Sequence, residues 1–376
     1  MRHRGDTFMA RWQVHFNHQI DTDDRELLSL LVQVEAYRLS IMKIPMPPAV
    51  QRELDSLNMI RQIKGTTGLE GNALTEAEIK KVIESGKAGR EAEKEAVNAH
   101  KVQLFIRQYH EQHGSSSLYI SEDFIKKLHY INTEGLSNYH NVPGQYRQVN
   151  VHAGDYTPPD YTEIPALMKK FVEFINSGDV VHRLAPLIRA IIAHFYLITI
   201  HPFGDGNGRT SRALEAFILY TGGYNVRGFY SLANYHYRHR DQYIVQLNKA
   251  RFMDQGNLNN FVKYCIRAFL EELQSVQETI LGYVKEIMFK NYLLEQLGRK
   301  AINNRMFSVV QFLLNGGELY VDEYRHKKHP FIAHLYESVT AKTAQRDLKR
   351  LLNAQLIVES DKKLRANVDF MNMYRV

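Results

Sequence analysis

The chain is predicted to be mainly α-helical, a helical bundle carrying one short β-hairpin flap, followed by a small winged-helix domain. Three observations predict this. Apolar residues recur at helical spacing along most of the chain, as in Leu27, Leu28, Leu31, Val34, Tyr37 and Ile41. The segment from Leu184 to Ile200 is apolar on nearly every face, which marks a helix central to a core. Extended patterns are confined to 144–154 and to the two short runs at 356–358 and 364–368.

The elements follow in order. A helix over 24–42 ends at Pro45, Pro47 and Pro48, and a second runs from about Ala49 to Ile63. Thr75-Glu-Ala-Glu78 has the spacing of a capping box, so a third helix starts there. Glu91 to Gln112 and Ser121 to Tyr130 are amphipathic. Gly144 to Gly154 alternates between Pro143 and Pro158-Pro159 and predicts a hairpin or extended flap. Helices resume at 163–176 and 184–200. The next begins near Gly208 and stops before Gly222-Gly223. Others are expected at about 239–251, 257–274 and 275–298.

Past residue 300 the composition shifts. Residues 301–376 hold 12 Lys+Arg against 8 Asp+Glu, so more than half of the net charge of +7 lies there. A helix from Phe307, a Gly316-Gly317 break, a helix around 321–335 and a third from Ala341 to Asn353 (Thr340 as its cap) precede two strands flanking Ser360-Asp-Lys-Lys363. The expected organisation is an N-terminal helical region over 1–112, a catalytic core over 113–275, a linker helix over 276–300 and a winged-helix-like domain over 301–376.

Composition narrows the class. With 44% hydrophobic residues the chain is globular rather than disordered. The single cysteine, Cys265, excludes an intrachain disulfide framework and a thiolate zinc site, which fits a reducing, cytoplasmic setting. Met1-Arg-His-Arg-Gly-Asp-Thr7 lacks the apolar core of a signal peptide, and the longest apolar stretch is too short to span a bilayer. No membrane association is expected.

The chemistry concentrates in His201-Pro-Phe-Gly-Asp-Gly-Asn-Gly-Arg-Thr-Ser-Arg212. A helix starting at Gly208 exposes unpaired N–H groups and a dipole that favours anions. Glycines at 204, 206 and 208 let the backbone bend into a nest suited to phosphate. Arg209 and Arg212 share one face, and two cations in a first turn point to a polyanion. Asp205 beside phosphates makes sense when Mg²⁺ bridges them. Asn207 can donate to a phosphoryl oxygen, and His201 is placed to take a proton from a hydroxyl.

These residues match the Fic motif, His-x-Phe-x-(Asp/Glu)-Gly-Asn-Gly-Arg-x-x-Arg, at every defined position, and the chain resembles the Fic family over roughly residues 10–275. The resemblance implies transfer of AMP from ATP to a Tyr, Ser or Thr hydroxyl of a target protein. It implies His201 as general base and Asp205 as Mg²⁺ ligand. Gly206, Asn207 and Gly208 would hold the α-phosphate, Arg209 the β-phosphate and Arg212 the γ-phosphate. Thr66-Thr-Gly-Leu-Glu70-Gly71 is similar to the family's inhibitory motif, which implies that Glu70 pairs with Arg212. Pro143-Gly-Gln-Tyr-Arg147 and Tyr156-Thr-Pro-Pro159 resemble the frame of a target-docking hairpin, with Tyr146, Arg147, Gln148, Val149, Asn150 and Val151 as docking residues or as an ordinary surface hairpin. Tyr235 and Tyr243 fall where the family contacts adenine, though core packing explains either equally. His194 reads as a satisfied core histidine. Homodimers are common among such relatives.

Two rival functions remain at this point. One is an autoinhibited adenylyltransferase. The other is a DNA-binding regulator whose Fic core senses nucleotide or modifies the protein itself; Lys342, Gln345, Arg346, Lys349 and Arg350, with Lys362 and Lys363, place a basic face in 341–363. Glu337, Asp347, Glu359 and Asp361 dilute that face. Within the same fold, removal of AMP or transfer of another phosphate-containing group is a third reading.

Overall fold

The computed structural model describes residues 14–16, 20–114, 119–137, 140–154, 156–224, 232–254 and 256–374. The reading of Met1 to Thr7 lies outside these residues. The chain divides into two units, Met1–Gln277 and Glu278–Val376.

Among its described residues the first unit is mainly helical. Helix α1 spans Arg25–Lys43 and α2 spans Pro48–Gly68. Helix α3 is Glu76–Ser85, opened by the Thr75/Glu78 capping box, and α4 is Glu91–His113. Helices α5 (Glu122–Thr133), α6 (Ile164–Ile175) and α7 (Gly178–Arg183) lead to α8 (Pro186–Ile200) and α9 (Asn207–Thr221). Helices α10 (Leu232–Arg238) and α11 (Arg240–Asn248) follow, and a π-helical turn continues α11 over Lys249–Met253. Helix α12, Asn259–Gly298, is one 40-residue helix where two were expected, because no Gly or Pro interrupts its register before Gly282.

Helix α8 is the core: Leu187, Ile191, Ile192, Phe195, Leu197 and Ile200 are fully or almost fully buried, and α9 packs directly on it. Each such side chain removed from water contributes about 1.5–3 kcal/mol. That burial holds the end of α8 and the start of α9, and hence the loop between them, in place.

Helix α2 runs five residues past its expected end. Gly65 and Gly68 are close-packing positions. A Cβ at Gly65 would meet the backbone of Asn234 at 2.5 Å, and one at Gly68 the ring of Tyr237 at 2.5 Å. Tertiary contact with α10 outweighs the roughly 1 kcal/mol helix cost of each glycine.

The flap over 144–154 narrows to one isolated bridge, Ala153–Tyr156, rather than a ladder. Its side chains are drawn into other contacts. Arg147 is buried, and Asn150 takes the Tyr161 N–H and donates to Asp160.

The second unit holds α13 (Asn304–Leu314), β1 (Leu319–Tyr320), α14 (Val321–Arg325), α15 (Pro330–Leu335), α16 (Ala341–Asn353), β2 (Ile357–Ser360) and β3 (Lys363–Ala366). The sheet order is β1-β3-β2, antiparallel, so one strand more forms than the sequence suggests. The helix expected over 321–335 splits in two because Lys327 adopts φ 56° and Pro330 opens a new helix. Thr340 stands at the N-cap of α16 without a side-chain bond to its backbone. Among the described residues no helix is long and apolar enough to cross a membrane.

Candidate active site

The loop between α8 and α9 is pinned from below. Phe203 is fully buried and stacks on His129 of α5, with centroids 3.7 Å apart and planes 3° from parallel. Asn207 grips the backbone of Phe203 at both ends, accepting from its N–H and donating to its C=O at 2.9 Å each. His129 accepts from the Gly144 N–H at 2.9 Å, so its other nitrogen carries the proton and donates to the Asp205 carbonyl, also at 2.9 Å. Burial pushes the His129 pKa down to about 4, which keeps this neutral arrangement.

Above this floor the backbone turns into α9 at Gly206, whose φ of 75° suits glycine. No side chain caps α9, so its first-turn N–H groups face whatever lies against them. Glu70 lies there. A Cβ on Gly208 would fall 2.1 Å from Glu70 Oε1 and 2.9 Å from Arg212 Nη1, so only glycine leaves room for that carboxylate. Arg212 donates from Nη2 to Glu70 Oε1 at 2.6 Å and to the Thr66 carbonyl at 2.8 Å, and from Nε to Thr66 Oγ1 at 3.0 Å. Burial alone would raise the Glu70 pKa. The Arg212 charge and hydrogen bond, with Arg209 behind them, outweigh it and hold the carboxyl below its ordinary range.

Arg209 is equally committed. Its Nη1 meets Glu95 at 3.1 Å and its Nη2 meets Asp205 at 3.1 Å. The second Glu95 oxygen accepts from Asn72 Nδ2 at 2.7 Å.

His201 ends α8 with φ 54°. Its Nδ1–H donates to the Ile198 carbonyl at 3.2 Å, which leaves Nε2 as an acceptor. Burial, aided by Arg251 and Arg147, lowers its pKa to about 4, so the ring is a neutral base near neutral pH. Arg147 holds the His201 carbonyl through Nε at 2.9 Å, and its backbone N–H bonds the Pro202 carbonyl at 2.9 Å.

A cavity of about 530 Å³ brings these groups together: Glu70, His201, Asp205, Gly206, Asn207, Gly208, Arg212 and Tyr243 all line it, with Arg240 and Arg251. Arg209 is buried behind the wall. Tyr235 is elsewhere: its hydroxyl reaches Glu271 at 3.4 Å, and it lines a separate cavity with Lys263 and Arg267. Tyr243 donates to His194, whose other nitrogen pairs with Glu215, so His194 is satisfied in the core. Of the flap residues, Gln148, Val149 and Asn150 are exposed, Val151 is half-buried, and Tyr146 is tied to Glu122 at 2.8 Å. Arg147 is a buried strap rather than a docking group. The Asn207 amide likewise serves the loop, with one amide hydrogen left over for a phosphoryl oxygen.

Among the described residues no three His, Cys, Asp or Glu side chains gather into a self-sufficient metal site. Asp205, on the cavity wall and partly exposed, fits the other kind of site, in which Mg²⁺ takes one carboxylate and completes its shell with phosphate oxygens and water.

Sequence reasoning missed Thr66's role on Arg212, Glu95, His129 and the strap function of Arg147. Thr66 was within reach, since it opens the same short motif that contains Glu70. Glu95 and His129 carry no local signal, being brought in by packing of α4 and α5 against α9.

Residues 119–219 match the Fic/DOC family model. The chain is 29% identical over 210 residues to the protein adenylyltransferase Fic of Drosophila willistoni, an overlap of 54% of this chain and 39% of that protein. The chain thus spans about two fifths of the length of that relative. A Fic family protein from Desulfovibrio desulfuricans G20 superposes with a TM-score of 0.57 at 18% identity, over 92% of this chain and 97% of that one. Fic-1 from C. elegans superposes with a TM-score of 0.54 at 22% identity, over 68% and 72%. Residues 119–219, which contain the loop from His201 to Arg212, therefore form a Fic/DOC family domain, which this chain carries.

Proposed function

We propose that the chain transfers AMP from ATP to a Tyr, Ser or Thr hydroxyl of a target protein, and that Glu70 holds it inactive. The observation that carries this is the Glu70–Arg212 pair lying on the first turn of α9, in the same cavity as a neutral His201. The name of the Drosophila relative supports the same chemistry.

His201 Nε2 accepts the proton of the target hydroxyl as its oxygen forms a bond to the α-phosphorus. The bond from that phosphorus to the α–β bridging oxygen breaks, and pyrophosphate leaves. The N–H groups at the start of α9 stabilise the charge that builds on the α-phosphoryl oxygens. Arg212 takes the γ-phosphate once Glu70 leaves it, and Arg209, buried behind the wall, would reach the β-phosphate only by giving up Glu95 or Asp205. Asp205 would hold Mg²⁺, which neutralises phosphate charge when bound. With Glu70 on Arg212, the γ-phosphate has no partner and meets a carboxylate instead.

The test is intact-mass analysis of wild type and Glu70→Gly with MgATP in cell lysate, paired with ATP labelled at the α- or the γ-phosphorus. AMP addition and α-label should appear far more strongly on Glu70→Gly or on its target. Equal labelling of both proteins removes the inhibitor role, and γ-label on protein means phosphorylation instead.

A further inference from the structure

Helix α16 presents a face without a single exposed carboxylate. Its exposed side chains include Lys342, Gln345, Arg346, Lys349 and Arg350, which recur at three- and four-residue spacing on one side. The only acid on the helix, Asp347, is fully buried. Arg305 holds it from α13 at 3.3 Å, and Asn303 at 3.4 Å. The dilution by Asp347 inferred from sequence therefore does not exist at the surface. An ordinary solvated helix face mixes charges, and i,i+4 pairs stabilise it. This face does not, and Lys342 in the first turn works against the helix dipole.

The basic surface continues on the wing. Asp361 and Lys362 form the two-residue turn between β2 and β3, with φ of 53° and 62°, as a type I′ hairpin requires. Residues 341–366 carry seven basic side chains against three acids, of which Asp347 is internal and Glu359 and Asp361 are on the wing. Lys363 pairs with Glu318. Lys327 donates to the carbonyls of Tyr336 and Val339, at 2.9 Å for the latter, and so fixes the segment leading into α16.

We propose that this face of α16, with the wing turn, binds duplex DNA. A 13-residue helix is about 20 Å long and fits a major groove about 12 Å wide. Lys342, Lys349 and Arg350, with Lys362 of the wing turn, meet four phosphates on the groove walls, which supplies affinity without sequence information. Gln345 and Arg346, in the N-terminal half, are the side chains able to read adenine and guanine edges.

The experiment is fluorescence anisotropy of the full chain on a labelled random-sequence duplex of about two helical turns, titrated between roughly 50 and 200 mM salt. Four phosphate contacts give a log–log slope near −3.6, or roughly a 100-fold loss of affinity over that range. The Lys342→Glu/Arg346→Glu/Lys349→Glu variant should lose more than about tenfold at the lower salt, with unchanged thermal unfolding. Lys349→Gln, which adds no repulsion, should lower the slope by about one. Absence of binding at the lower salt, or equal binding by the triple variant, overturns the proposal. So does equal affinity for polyglutamate of matching charge, which would make the partner an acidic protein surface.

Discussion

Asn72 donates to Glu95 across 2.7 Å, two residues beyond the Glu70 that occupies Arg212. The other oxygen of Glu95 takes Arg209. One carboxylate on α4 therefore ties the turn that carries Glu70 to Arg209 on α9.

Because Asn72 anchors that turn, Asn72→Ala should loosen Glu70. A hydrogen bond to a charged group contributes about 1.5–3 kcal/mol, so MgATP affinity by calorimetry should rise by roughly 10- to 100-fold. In a Glu70→Gly background the same substitution should change little. An equal gain in both backgrounds would mean that Asn72 acts through Arg209 alone.

Gly208→Ala separates occupancy from charge. Its Cβ would lie 2.1 Å from Glu70 Oε1, so the carboxylate must move. The same methyl fills the seat of a phosphate on the first turn of α9. Labelling should stay at or below the wild-type level and MgATP affinity should fall, unlike in Glu70→Gly. Overpacking of this kind costs about 1–3 kcal/mol, which thermal unfolding would register.

His201 sets the pH profile. Its pKa is lowered to about 4, so the ring gains a proton only as pH falls through that value. For Glu70→Gly, kcat/KM should therefore change little between about pH 7 and 5.5, where an ordinary histidine would already have lost roughly tenfold. Over the same window Glu70 stays ionised, since Arg212 holds its carboxyl below the usual range, so acidification should not activate the wild type. A limb centred near pH 6.5 would mean that the pKa of His201 is not lowered, whereas transfer retained by His201→Ala would remove His201 as the base.

The residues of the cradle were legible because they lie within twelve consecutive positions whose mixture no structural role demands. Glu70 was legible as a short pattern upstream. Arg147 was legible only as part of a flap; its role as a buried strap on the His201 carbonyl depends on where α8 ends in space. Glu95 and His129 look like any helix residues until α4 and α5 are packed on α9. The end of α2 escaped for the converse reason: the expected helix stops at Ile63, and contact with Asn234 and Tyr237 carries it through Gly65 and Gly68. Asp347 was counted as surface charge because a sequence does not say which face of α16 turns inward.

That extension of α2 bears on how the inhibited state opens. Thr66 and Glu70, which together satisfy Arg212, belong to the last turn of a helix and the residues just after it. Helix ends are where local unfolding is cheapest. If Glu70 inhibits as proposed, release of Arg212 would unwind one helical turn rather than rotate one side chain. The resting activity would then depend on how often that turn is unwound, and a ligand or partner that favours the wound or unwound state would shift it by mass action.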